Sequence, residues 1–180
     1  MFTVVPLLLM LACFGTDFEG PVDSWWCYLQ AFSYLAYRML DEMDGKQARK
    51  TGNSSPLGLL FDHGCDSFTT ALLTIMIMKL FQIGNSWFVL LPLLASTMSF
   101  YFSTLEEYYI GGLFLGVGNG VTDGSVILIF MFLYTGYRGN DVYKEFINVP
   151  TGLNSTTSIQ LNYLLGLGLV VSQTVSVALK

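Results

Sequence analysis

Hydrophobic residues along this chain fall into long runs, and short polar breaks set the limits of each run. Met1–Phe14 is apolar, too short to cross a hydrocarbon core of about 30 Å by itself. It carries no basic segment ahead of it, which argues against a secretory leader. The stretch reads as the tail of a first membrane helix whose beginning lies upstream. Gly15–Ser24 follows as an acidic loop with Asp17, Glu19, Asp23 and Pro21. Trp25 and Trp26 then mark a membrane interface, where indoles are enriched. A helix is predicted from about Trp25 through Leu40 to Asp44, a basic link over Gly45–Ser55, and a second helix from Pro56 to about Leu80. Ser54 and Ser55 ahead of Pro56 form a helix-start signal. A polar break at Gln82–Ser86 precedes a span from Trp87 to about Phe102. Glu106, Glu107, Tyr108 and Tyr109 come next, then a glycine-rich run at Gly111–Gly120. Val121–Tyr137 and Ile159–Leu179 are the last apolar spans, joined by a polar loop at Arg138–Ser158. The pattern describes an all-α integral membrane helical bundle of about six transmembrane spans, the first one a stub, in a single domain over residues 1–180.

Composition agrees with a membrane protein. Of 180 residues, 53% are apolar and 12% are charged, against roughly 25% charged in a soluble domain. The formal net charge of −5, with no long basic run, argues against a nucleic-acid partner. Cys13, Cys27 and Cys65 are widely spaced and form no CxxC pair, so neither a zinc site nor a disulfide framework is indicated. Cysteines in apolar segments are expected to be buried and inert.

Within this apolar frame the segment 41–66 stands out. Asp41 and Asp44 are three residues apart, Asp62 and Asp66 four, and either spacing puts both carboxylates on one helix face. An Asp at the centre of a membrane helix costs about 2.5–3.5 kcal/mol on insertion scales, so it needs a partner or a wet cavity. Four facing carboxylates repel one another unless protons or cations neutralise them. A divalent metal site is the economical reading. Arg49, with its fork of donors, and Lys46, as a point charge, are the nearest counter-charges. Gly45 and Gly58 leave room for close approach of a ligand or a neighbouring helix, and Gly45 is expected to end the first helix. Gln47 is a weaker candidate. His63, one position off the carboxylate face, is as well explained by a structural hydrogen bond as by catalysis. Glu106 and Glu107 either sit at an exposed helix end or face the cationic end of a substrate. Tyr101, Phe102, Tyr108 and Tyr109 fit an interfacial belt better than a cation cage.

The order Asp41-x2-Asp44-Gly45-x2-Ala48-Arg49-x8-Gly58-x3-Asp62-x3-Asp66 resembles the signature of the CDP-alcohol phosphotransferase family at every fixed position. The filling residues, Asp44-Gly45-Lys46-Gln47-Ala48-Arg49, Ser54-Ser55-Pro56-Leu57-Gly58 and Phe61-Asp62-His63-Gly64-Cys65-Asp66-Ser67, are similar to the eukaryotic cholinephosphotransferase and ethanolaminephosphotransferase branch. Glu106-Glu107-Tyr108 resembles a further segment of it. The resemblance implies that Asp41, Asp44, Asp62 and Asp66 bind Mg²⁺ (or Mn²⁺), in all two ions, and that Asp66 also serves as base. It implies that Gly45, Lys46, Ala48, Arg49 and Gly58 line the CDP pocket. The expected reaction moves phosphocholine or phosphoethanolamine from CDP-choline or CDP-ethanolamine to diacylglycerol, releasing CMP, in phospholipid biosynthesis. Members of that branch are longer and carry a later His as base. This chain has no His after His63, so it resembles a fragment, or Asp66 takes that part.

Two other readings compete with this one. One keeps the motif and uses CDP-diacylglycerol as donor with an acceptor such as inositol, against which the Ser-Ser-Pro-Leu-Gly and Asp-His-Gly-Cys-Asp wording argues. The other is a non-catalytic scaffold or ion carrier, which has no use for the Gly45/Arg49/Gly58 framework. Lys46, Arg49 and Lys50 form the densest basic cluster, which places their link on the cytoplasmic side. The expected location is an endoplasmic-reticulum or Golgi membrane with the active site facing the cytoplasm. Membrane lipid is the surrounding partner, and a homodimer is left open.

Overall fold

The computed structural model describes residues 2–84, 87–111, 123–152 and 155–178. Most of the expected glycine-rich run, together with Asn85, Ser86, Val121 and Asn154, lies outside the described residues. Among the described residues there are six α-helices: α1 Val4–Phe14, α2 Ser24–Thr51, α3 Pro56–Leu80, α4 Leu90–Ile110, α5 Asp123–Arg138 and α6 Leu161–Ala178. Short 3₁₀ turns occupy Trp87–Val89 and Asn140–Lys144. One antiparallel pair departs from the all-α expectation: β1 Phe146–Gly152 with β2 Ser155–Gln160. The segment read as a polar loop alternates Ile147, Asn148, Val149 and then Thr157, Ser158, Ile159. Those β-branched positions pair as Ile147 with Ile159 and Val149 with Thr157, a strand pattern that overall polarity hides.

α2 runs past the expected break. A mid-helix Gly costs about 1 kcal/mol relative to Ala, but Lys46, Gln47, Ala48 and Arg49 are good helix formers and carry the helix to Thr51. Arg49 and Lys50 sit in the last turn, where they complement the helix dipole. The stop is Gly52, left-handed at φ 69°. Its N–H donates to Arg49 O, and Asn53 N–H donates to Ala48 O at 3.1 Å, a Schellman closure. α3 begins as expected, with Pro56 in the first turn and Ser55 Oγ accepting from Gly58 N at 3.1 Å. α4 reaches Ile110, beyond the predicted end, so Glu106, Glu107, Tyr108 and Tyr109 are its last turn.

The core is where α2 packs on α5. Trp26 and Phe132 are fully buried and meet edge to face, with centroids 6.0 Å apart. The Trp26 indole donates to Pro6 O at 2.9 Å. Trp26 is therefore a core residue, in contrast to the interfacial role expected of it, while Trp25 is 45% exposed. Cys27 is buried, whereas Cys13 and Cys65 are exposed, so the buried state expected in apolar segments does not extend to Cys13. α3 packs on α4, and α4 on α6.

The Lys79 side chain, 2% exposed, closes the other end of the bundle. Its ammonium donates to Asp17 O at 2.9 Å and Glu19 O at 2.5 Å, with Phe14 O at 3.5 Å. One buried cation thus satisfies carbonyls after the end of α1 that no helix bond reaches.

Trp87–Ile110 is the described helix long and apolar enough to cross a membrane by length and composition; Val4–Phe14 and Gly124–Arg138 are apolar but shorter. α2 and α3 are long enough, and their carboxylates and basic residues lower their hydropathy. Large apolar side chains nonetheless face outward around the bundle, among them Leu57, Leu60 and Phe61 on α3 and Leu90, Leu94 and Met98 on α4. A membrane bundle is consistent with these surfaces.

Candidate active site

Helix spacing decides which groups meet. Tyr37, Asp41 and Asp44 follow one another at i, i+4 and i+7 on α2, and Asp62, Asp66 and Thr69 do the same on α3. The α2 and α3 backbones scarcely approach within 8 Å, so the two helices are joined at this level by side chains.

Carboxylate oxygens of Asp41, Asp44 and Asp62 lie within 4.8 Å of one another. Asp66 falls outside that group. The Tyr37 phenol instead donates a hydrogen bond to Asp66 Oδ1. Asp66 still acts electrostatically on both Asp41 and Asp62. Asp41 is held on its far side by Arg38, whose Nη1 donates to Oδ2 at 2.8 Å.

The donor set consists of hard oxygens converging from two helices, which fits a divalent cation of the Mg²⁺ or Mn²⁺ type. Such a cation binds through a few protein carboxylates and leaves positions for phosphate oxygens.

The nucleotide candidates are distributed less uniformly. Arg49 is exposed on the last turn of α2, and its guanidinium lies back over Gly45. Ala48 is half-buried beside it, and Gly58 is exposed with its N–H committed to Ser55. Lys46 is turned to Glu42 in an exposed ion pair of 2.9 Å, a surface arrangement worth little in water. The structure therefore groups Gly45 and Arg49, sets Gly58 at the start of α3, and gives Lys46 a partner other than phosphate.

Three features were not assigned from sequence. Tyr37 and Arg38 were legible in principle, as polar residues one turn before Asp41. His63 Nε2 lies 3.1 Å from Glu107 Oε2, tying α3 to the last turn of α4, and its ring stands edge-on to Phe100 at 6.5 Å. Glu107 takes neither of the two places expected for the Glu106–Glu107 pair: it is half-buried in the last turn of α4, against His63 of α3.

A family profile described as CDP-alcohol phosphatidyltransferase matches residues 1–135. An uncharacterized CDP-alcohol phosphatidyltransferase class-I family protein 2 of Dictyostelium discoideum is 37% identical over 156 residues, covering 86% of this chain and 37% of its own. Choline/ethanolaminephosphotransferase 1 of Arabidopsis thaliana is 33% identical over 147 residues, covering 81% of this chain and 36% of its own. Ethanolaminephosphotransferase 1 of Homo sapiens is 36% identical over 153 residues, with 79% and 38% covered. The chain thus spans little more than a third of the length of these relatives.

Proposed function

The chain belongs to the CDP-alcohol phosphatidyltransferase family, and from that premise we propose that it is an aminoalcohol phosphotransferase. It would move phosphocholine or phosphoethanolamine from the CDP-alcohol to diacylglycerol. The acceptor oxygen forms a bond to the distal phosphorus, the bond to CMP breaks, and the hydroxyl proton passes to a base. The observation that carries this reading is the convergence of Asp41, Asp44 and Asp62 from two helices. The names of the Arabidopsis and human relatives support the choice of substrate class.

A Mg²⁺ or Mn²⁺ ion held by Asp41, Asp44 and Asp62, and a second shared with Asp66, would supply neutralising charge for the diphosphate. The chain's own groups do the rest. Arg49, at the end of α2 beside Gly45, grips phosphate oxygens with its planar fork. Asp66, with Oδ1 on Tyr37, presents Oδ2 both to the second ion and, through its remaining lone pair, to the diacylglycerol proton. Gly45, Ala48 and Gly58 present little side chain where the nucleotide approaches. Outward-facing Leu57, Leu60 and Phe61 suit a lipid surround next to the site, where a diacylglycerol hydroxyl arrives. Further spans beside α4, the cytoplasmic orientation, the endoplasmic-reticulum or Golgi location and a homodimer belong to the same proposal.

CMP release by the chain in liposomes, supplied with diacylglycerol and either CDP-choline or CDP-ethanolamine, with and without Mg²⁺, tests it. Release that needs diacylglycerol, one of these donors and the metal is expected. Turnover with CDP-diacylglycerol and inositol, and none with the CDP-alcohols, would overturn it.

A further inference from the structure

We propose that Tyr37 is a positioning residue that sets Asp66 apart from the other three carboxylates and aims it at a second cation. The inference rests on the metal-site reading above and deepens it. Asp41, Asp44 and Asp62 converge within 4.8 Å and make one cation site without Asp66. The fourth carboxylate is within electrostatic reach of Asp41 and Asp62, yet it is tethered elsewhere, by its Oδ1 to the Tyr37 phenol.

The tether is itself held in place. Tyr37 stacks on Tyr34, with centroids 6.4 Å apart and planes 17° from parallel. Tyr34 is buried and bonded to Ser125 of α5 at 3.0 Å. The buried Thr69 hydroxyl, one turn after Asp66 on the same side of α3, acts electrostatically on the Tyr37 phenol. The ring is thus fixed by α2, α3 and, through Tyr34, α5.

A phenol so placed can do one thing for Asp66: it occupies Oδ1 and fixes the rotamer, leaving Oδ2 as the ligand atom. Untethered, Asp66 would be free to join the other three carboxylates on one cation and leave a second ion without a carboxylate of its own. Outer-shell partners of this kind change metal affinity or activity by about 10–100-fold when removed.

Mn²⁺ is the probe, titrated into the purified full chain in nanodiscs and followed by electron paramagnetic resonance, which reads binding without turnover. The unmodified chain is expected to bind two ions. In Tyr37→Phe one ion is retained at its original affinity and the other weakens by about 10–100-fold. Thr69→Val, which leaves the phenol in place and removes a neighbouring hydroxyl, weakens the same ion by less. Tyr34→Phe, which keeps the stacked ring and removes a more deeply buried bond to α5, weakens the same ion by less than Tyr37→Phe does and leaves the other unchanged. In turnover, Tyr37→Phe lowers kcat and leaves the KM for the CDP-alcohol alone.

Tyr37→Phe with two unchanged Mn²⁺ affinities would overturn the role of Tyr37 and leave the metal site standing. That role falls equally if Tyr34→Phe and Tyr37→Phe weaken both ions alike, which is general loosening of the bundle. No Mn²⁺ bound by the unmodified chain, or equal binding by Asp62→Asn, would overturn the metal-site reading and this inference with it.

Discussion

The Arg49 guanidinium folds back over Gly45, its Nη1 3.5 Å from where a β-carbon on Gly45 would stand. That distance is ordinary van der Waals contact, and Gly45 is helical, so an alanine fits without displacing Arg49. On stability alone Gly45→Ala should gain up to about 1 kcal/mol, the usual advantage of Ala over Gly inside a helix. In transfer the methyl stands where the nucleotide is proposed to approach, so the KM for the CDP-alcohol should rise several-fold. Thermal melting and initial-rate kinetics on the same preparation separate the two effects. A stabilised variant with unchanged kinetics would remove Gly45 from the nucleotide pocket.

Asp62 and Arg49 are expected to fail differently. Asp62→Asn removes one of three converging carboxylates, so it should lower kcat by at least about 100-fold. Arg49→Ala removes a charge-assisted contact worth about 1.5–3 kcal/mol, which predicts a KM for the CDP-alcohol raised roughly 10–100-fold with a smaller change in kcat. Rates measured across substrate concentration, at saturating Mg²⁺, distinguish them. An Asp62→Asn protein active at low metal contradicts the ligand role.

How much of this is legible in the sequence follows from the range over which each signal acts. The motif carboxylates sit at i, i+3 or i, i+4 on helices the sequence already marks, so their common face needs only helix geometry. The end of α2 is harder to place because Gly45 and Gly52 look alike in sequence. Good helix formers carry the chain through the first, and no such run follows the second. Tyr37 carries the same periodicity as Asp41 and Asp44, but a tyrosine in an apolar stretch reads as core until its phenol is seen against α3. The pairing of His63 with Glu107 joins residues 44 positions apart, and nothing local announces it. The β1–β2 hairpin is masked by the polar composition of its segment, which obscures the alternation within it.

Lys79 gives the clearest case of a long-range partner set. Its ammonium reaches Asp17 O and Glu19 O from the last turn of α3. Lys79→Met keeps the length of the side chain and removes the donor from those part-buried carbonyls, at about 1 kcal/mol each. The melting temperature should fall by several degrees, whereas Lys46→Met, which breaks only the exposed pair with Glu42, should leave it within about a degree. Equal melting of the two variants would show that the Lys79 contacts contribute nothing.

The side of the membrane that α2 reaches can be tested without any turnover. Asn53-Ser54-Ser55 and Asn154-Ser155-Thr156 are both acceptor sequons, and glycans are added only on the lumenal side. Asn53 is exposed immediately beyond the Gly52 cap, so burial does not protect it. The proposed chemistry places it beside Arg49 and Lys50, in a basic segment that must meet cytosolic CDP-alcohol and that the positive-inside rule also keeps there. Asn53 is therefore expected to stay unmodified in cells. Asn154 is separated from it by an odd number of crossings in the proposed topology, so it is expected to be available for modification. A membrane-impermeant maleimide gives a second readout: Lys50→Cys, in a chain with Cys13, Cys27 and Cys65 replaced by Ser, should be labelled from the cytosolic face of sealed microsomes. A glycan on Asn53, or labelling of Cys at position 50 only after the microsomes are opened, would put Arg49 and the carboxylates on the lumenal side. A site there could not draw on a cytosolic nucleotide donor.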